Sequence, residues 1–273
     1  MEFGKLIGNS FEYSKEGLVG HWGKWIMLII LSLLPAIPVW LGIIFGFLAL
    51  LAAPGMLIPI IVIMLILMII LTFPLLGYTV RIYRGENPAP EVNNWGSLFT
   101  DGLKLFIILL IYAIPVLILV IALLGSVIVA MIPYLPQLIP QLMGSSQPMT
   151  IPDTMMGLIG AAIFGVVIII LVALIIWLIE ATAVVRFART NSVGEAFNFG
   201  EIFSRIGKIG VGSYIVALII QAIIVFVILF ILELIPYIGF ILVLIVTPVI
   251  VLFQARYLWL LYDSVGEETP APA

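Results

Sequence analysis

RIYRGENPAPEVNNWGSLFTDGLK, residues 81–104, is a polar island in a chain that is otherwise mostly hydrocarbon. The chain repeats it about a hundred residues later as RFARTNSVGEAFNFGEIFSRIGK, residues 186–208. Arg81 and Arg84 are answered by Arg186 and Arg189, and Asn94-Trp95-Gly96-Ser97-Leu98-Phe99 by Asn198-Phe199-Gly200-Glu201-Ile202-Phe203. Lys104 and Lys208 close the two copies, each ten residues after its Asn. A polar unit used twice between long apolar runs fixes both the class and the organisation of the chain.

Of the 273 residues, 64% are hydrophobic and only 9% are charged. A soluble domain carries about 25% charged residues, so a soluble core is excluded and the class is a polytopic membrane protein. There is no cysteine, which removes disulfide frameworks and thiolate metal sites. The net charge of -3 gives no broad basic face for nucleic acid. The first 24 residues mix acids and bases, and the apolar run behind them is longer than a signal-peptide core. That run reads as an uncleaved first span.

A spanning helix needs roughly 20 apolar residues. Six runs qualify, at about 25–53, 56–80, 105–132, 157–185, 211–235 and 238–262. Pro54-Gly55 and Pro236-Tyr237 make tight turns inside the first and third pairs. Pro35, Pro38, Pro59, Pro74, Pro115 and Pro248 lie within spans, where each removes a backbone donor and favours a kink. All eleven Lys and Arg residues fall on one side of this six-span chain, and Asp153 is the only charge in the loop opposite. By the positive-inside rule both termini are expected to be cytoplasmic, and the expected location is the plasma membrane. Tyr257, Trp259 and Tyr262 beside Arg256 read as an interfacial aromatic belt. The external loop, residues 133–156, is rich in Pro and is either a surface-lying connector or a re-entrant lid. Residues 263–273 read as a disordered acidic and Pro-containing tail.

Each island contains a short amphipathic helix. Trp95, Leu98, Phe99 and Gly102 take the i, i+3, i+4, i+7 places in one, and Phe199, Ile202, Phe203 and Ile206 in the other. Asn94 and Asn198 stand at the N-cap, and Glu201 completes a capping box. Such helices lie in the membrane interface. Residues 1–24 form a further interfacial segment, with Phe3, Leu6, Ile7 and Phe11 on one register or Leu18, Trp22 and Trp25 on another. Spans two, four and six each end on one Arg, namely Arg81, Arg186 and Arg256. The fold class is therefore an all-α integral membrane protein. Its six transmembrane helices, residues 25–262, form three parallel hairpin repeats with cytoplasmic interfacial amphipathic helices. Parallel copies differ from the inverted repeats of many transporters.

Gly77-Tyr78-Thr79-Val80-Arg81, Asn94-Trp95-Gly96-Ser97-Leu98-Phe99, Gly102-Leu103-Lys104, Pro248 and Gln254-Ala255-Arg256-Tyr257 resemble a family of uncharacterised multi-pass membrane proteins, chiefly archaeal, defined as a domain of unknown function. Its members often carry an acidic pair before the Trp, where this chain has Asn93-Asn94. The resemblance implies a membrane location and supplies no activity, cofactor or catalytic residue.

The residues themselves offer no catalytic motif: His21 is the lone histidine and no zinc, phosphate-loop or nucleophile-elbow pattern occurs. No catalytic, cofactor-binding or metal-binding residue and no cofactor is expected, and the protein reads as a non-enzyme. Gly42 and Gly46 form a GxxxG, and Ala161 with Gly165 its small-residue cousin, for packing within the monomer or for dimerisation. Arg81, Arg84, Lys104, Arg186, Arg189 and Lys208 are candidate lipid-headgroup contacts. Glu180, Gln221, Gln254 and Arg256 form a candidate intramembrane polar site, since ionisable groups inside a membrane are functional candidates. Glu233 sits close enough to the external turn to reach headgroups. The expected function is a non-enzymatic scaffold or accessory protein organising lipid or partner subunits. The alternative is a transporter or channel for a small solute with Glu180 on its path. Expected partners are the lipid bilayer and other membrane subunits or a second copy, with no nucleic acid.

Overall fold

The computed structural model describes residues 2–136, 139 and 153–266. The external loop after residue 136 and the acidic tail beyond Gly266 lie outside the described residues. Among the described residues there are helices and turns and no strand. In chain order the helices are α1 (Phe3–Leu18), α2 (Trp22–Leu33), α3 (Ala36–Ala52), α4 (Leu57–Tyr83), α5 (Trp95–Leu119), α6 (Ser126–Met131), α7 (Asp153–Thr190), α8 (Phe199–Ile209), α9 (Val211–Glu233) and α10 (Gly239–Asp263). Six stretches are long and apolar enough to cross a membrane: Trp22–Ala52, Pro54–Tyr83, Trp95–Tyr134, Met155–Thr190, Val211–Glu233 and Gly239–Asp263. The six runs read from sequence correspond to these one for one, but helical backbone continues beyond several apolar ends into the islands.

The prolines act in different ways. Pro35 splits the first span, since it offers no N–H and the chain turns between α2 and α3. Pro74, Pro115 and Pro248 remain inside continuous helices. Past Pro115 the helix widens to a π-helical turn over Val120–Gly125.

Packing divides the chain into two compact units, Met1–Ile108 with Ala181–Ala273, and Leu109–Glu180. In the second unit a Cβ on Gly165 would meet Leu123 Cβ at 3.3 Å, so Gly165 packs α7 within the chain, whereas Ala161 is exposed. The GxxxG of α3 does the same in the first unit, with Gly42 against Met64 and Gly46 against Leu57 of α4.

The first unit has its core at the end of the spans where the basic residues collect. Tyr13 and Leu18 of α1, Leu28 and Leu31 of α2, Tyr78 and Ile82 of α4, Leu98 of α5, and Leu252 and Ala255 of α10 pack there as one cluster. Helix α1 lies along α10. It buries Leu6, Ser10, Tyr13, Ser14, Gly17 and Leu18; Leu6 of one expected register and Leu18 of the other are among them, but Phe3, Ile7 and Phe11 are not. Small side chains let helices approach closely. The hydroxyls of Ser10 and Ser14 bond back to the carbonyls of Leu6 and Ser10, at 2.6 and 2.9 Å, so their burial leaves no donor unmet.

The two islands differ. The second contains a free-standing helix, α8, opened by Asn198, whose side chain accepts from Glu201 N, and closed by Gly210 at φ +90°. The first has no such stop after Lys104, and its helical turn runs on into the third span as α5. The aromatic and aliphatic residues expected on one face also separate. Leu98 and Ile202 are wholly buried, whereas Trp95, Phe99, Phe199 and Phe203 are exposed. The aromatic belt expected beside Arg256 is corrected too: Tyr257 and Tyr262 are buried in the protein. The Tyr257 hydroxyl donates to Ala217 O of α9 at 2.9 Å, a bond available only from the interior.

Candidate functional site

The basic end of the first unit is a lattice in which cations meet oxygens of the same chain. Arg81 leaves α4 one turn after Gly77 and is 7% exposed. Its Nη1 donates to Glu91 O and Asn93 Oδ1 at 3.0 and 3.1 Å, and its Nη2 to Asn93 O and Ser97 Oγ, both at 2.8 Å. The island 81–104 therefore wraps around the side chain that begins it. Arg84 binds Asp101 Oδ2 at 2.6 Å and reaches Ala188 O and Asn191 Oδ1 at 3.3 and 3.2 Å, joining the two islands. Arg186 pairs with Glu195 at 2.5 Å and approaches Glu201 at 3.9 Å. Arg189 pairs with Asp263. Lys24 of α2 donates to Ala89 O at 2.9 Å and pairs with Glu91 at 2.8 Å.

Of the six residues read as headgroup contacts, Arg81, Arg84, Arg186 and Arg189 thus have their partners inside the protein. Lys104 reaches Asn191 Oδ1 at 3.5 Å, and Lys208 is exposed on α8. Sequence reading passed over Asp101 and Arg205, although a signal was present. They occupy the same repeat position, seven residues after Asn94 and Asn198, with opposite charge. Asp101 answers Arg84. Arg205 instead turns to the end of α10, donating from Nε and Nη2 to Tyr262 O at 2.9 and 2.6 Å and from Nη2 to Gly266 O at 2.9 Å. A cation at a helix C-terminus meets carbonyls that lack intrahelical partners.

Two members of the expected intramembrane polar site come together. Gln221 Nε2 of α9 donates to Gln254 O of α10 at 3.1 Å. Arg256 follows on α10, with its guanidinium over the rings of Tyr13 at 4.7 Å and Trp259 at 4.1 Å. Glu180 belongs to the second unit, half-buried on α7. Tyr13 completes the first-unit site: its hydroxyl donates to Glu86 O at 2.9 Å, and burial pushes its pKa above the usual phenolic range. A groove of about 750 Å³ runs along α1, lined by Lys5, Lys15, Phe11, Leu18, Trp25 and Val249 among others. Among the described residues no three His, Asp or Glu side chains gather as a metal site needs.

Six apolar spans joined by a polar, self-bonded end define a multi-pass, all-helical membrane protein. More particularly, the chain belongs to the family described as protein of unknown function (DUF4013), which matches residues 60–237. The match runs from early in α4 to the turn after α9 and leaves out α1, α2, α3 and α10; α1 and α10 meet over Arg256. No curated protein and no solved structure matches the chain.

Proposed function

We propose that the protein is a non-enzymatic scaffold or accessory protein of the plasma membrane, with both termini cytoplasmic, that organises lipid or partner subunits. The observation that carries this reading is the division of labour at the basic end. Arg81, Arg84, Arg186, Arg189 and Arg205 brace helices and islands against one another, while Trp95, Phe99, Phe199 and Phe203 stand exposed around them. Hydrogen bonds to charged groups stabilise by about 1.5–3 kcal/mol each, so such a lattice favours a stiff platform. Aromatic side chains at membrane ends settle at headgroup level. The repeated islands and the Arg in the last third of each of α4, α7 and α10 support three parallel hairpin units, with the islands in the interface.

A photoreactive side chain at Phe99 or Phe203, activated in intact membranes, is expected to crosslink to lipid or to one defined membrane subunit. In liposomes the purified protein is expected to leave ion and small-solute flux at the level of empty vesicles. A saturable flux would overturn the scaffold reading in favour of transport.

A further inference from the structure

Two buried donors sit side by side without acceptors. Nη1 of Arg256 and Nε1 of Trp259 have no hydrogen-bond partner among the described residues, and Arg256 is only 9% exposed. The guanidinium is stacked on two aromatic rings, Tyr13 at 4.7 Å and Trp259 at 4.1 Å, which satisfy its faces and leave its edge. Arg81 ends α4 and is met by Glu91, Asn93 and Ser97; Arg186, near the end of α7, is met by Glu195. Arg256, at the corresponding place on α10, is met by no oxygen among the described residues.

The carboxylate nearest to it is already engaged by a second cation. Arg189 also lies over the Trp259 ring, at 5.5 Å, and pairs with Asp263, whose carboxylate acts on Arg256 as well. Two guanidiniums thus share one carboxylate. Glu86 bears on Tyr13 from an exposed position. Gly85 packs against the indole edge: a Cβ there would lie 2.6 Å from Trp259 Nε1, so only glycine fits beside that donor. The depth also fits. The 25 residues of α10 extend about 37 Å against a hydrocarbon layer of about 30 Å. Arg256 lies seven residues before the end of that helix, about 10 Å along its axis, near the border where lipid phosphates begin.

We propose that Arg256 and Trp259, roofed by Tyr13 and flanked by Gly85, form a binding site for one oxyanion, a phosphate group supplied by a lipid headgroup or free in solution. Guanidinium and indole N–H donors suit a phosphate oxygen, and the stacked rings fix the guanidinium's orientation. The site does not depend on the scaffold role.

The test uses the full chain in maltoside micelles, which carry no phosphate. Its unfolding midpoint is followed in one series with rising inorganic phosphate, and in another with rising phosphatidylglycerol and no inorganic phosphate. Sodium chloride at matched ionic strength is the control. A saturable rise in the first series assigns a free oxyanion, and one in the second a lipid headgroup. Trp259→Phe, which keeps an aromatic ring against the guanidinium but removes the N–H, is expected to weaken the response about tenfold. Arg256→Gln is expected to abolish it, and the Phe variant stands alone if the Gln variant does not fold. No saturable rise in either series, or an undiminished response in Trp259→Phe, would overturn the proposal.

Discussion

Gly77 of α4 and Leu98 of α5 meet backbone to backbone: a Cβ on Gly77 would lie 1.9 Å from the Leu98 carbonyl oxygen. The contact is mirrored across the same pair of helices, where a Cβ on Gly102 would lie 1.9 Å from the Phe73 carbonyl oxygen. Two glycines on facing helices let the first island close onto α4. That approach brings Ser97 within 2.8 Å of Arg81 Nη2.

Gly77→Ala is expected to prevent this closure. The obstacle is backbone rather than a flexible side chain, so the cost should exceed the roughly 1–3 kcal/mol of ordinary overpacking. The yield of folded protein by fluorescence-detected size exclusion should collapse. Gly96→Ala, where nothing lies within 4 Å, should be neutral. Equal yields from the two variants would refute the close contact.

Arg205 is 1% exposed and holds the end of α10 through Tyr262 O and Gly266 O. Arg205→Ala should lower stability by about 3 kcal/mol, the scale of charge-assisted hydrogen bonds lost from a buried site. Limited proteolysis should then cut near the end of α10 sooner than in the wild type. Arg205→Lys should recover only part of the loss, because one ammonium cannot reproduce the guanidinium fork. Unchanged proteolysis in the Ala variant would count against the clamp.

Tyr13 gives a pH signature. A hydroxyl whose pKa is raised on folding contributes stability that is complete below the unfolded value of about 10. That contribution is lost as the pH rises through the folded value. The wild type should therefore lose stability between neutral pH and strongly alkaline pH more steeply than Tyr13→Phe does. Thermal melts across that range provide the measurement, and identical slopes would remove Tyr13 from the account.

The segregation of basic residues sets a topology test. Labelled from outside intact cells, Ser146→Cys should react and Ser97→Cys should be protected until the membrane is opened. Reaction of the Ser97 variant alone would reverse the orientation.

For Glu180 the expected result of Glu180→Gln is a lower thermal midpoint with liposome flux unchanged at the empty-vesicle level. Wild-type flux that disappears in this variant would instead place Glu180 on a transport path. An acid within a span costs about 2.5–3.5 kcal/mol on insertion scales, so one of the two measurements must register its removal.

The sequence by itself determined the six helices long and apolar enough to cross a membrane and the turns at Pro54-Gly55 and Pro236-Tyr237. Hydrocarbon length and residue periodicity are local quantities, and a bilayer admits few ways of satisfying them. The N-cap at Asn198 was legible for the same reason, since its partner Glu201 is three residues away. Where the cations and aromatics go was decided by tertiary structure alone. Arg81 and Arg186 look like headgroup ligands in sequence, yet each closes onto oxygens of its own island. Tyr257 and Tyr262 look like belt residues, yet α1, α8 and α9 bury them. Position near a membrane boundary specifies depth but not direction around the helix axis. Direction is fixed by which neighbour comes close enough to supply an acceptor, and that depends on contacts such as Gly77 with Leu98, between residues far apart in the chain. The unmet donors of Arg256 and Trp259 belong to the same category, because a missing partner appears only after every other donor has found its own.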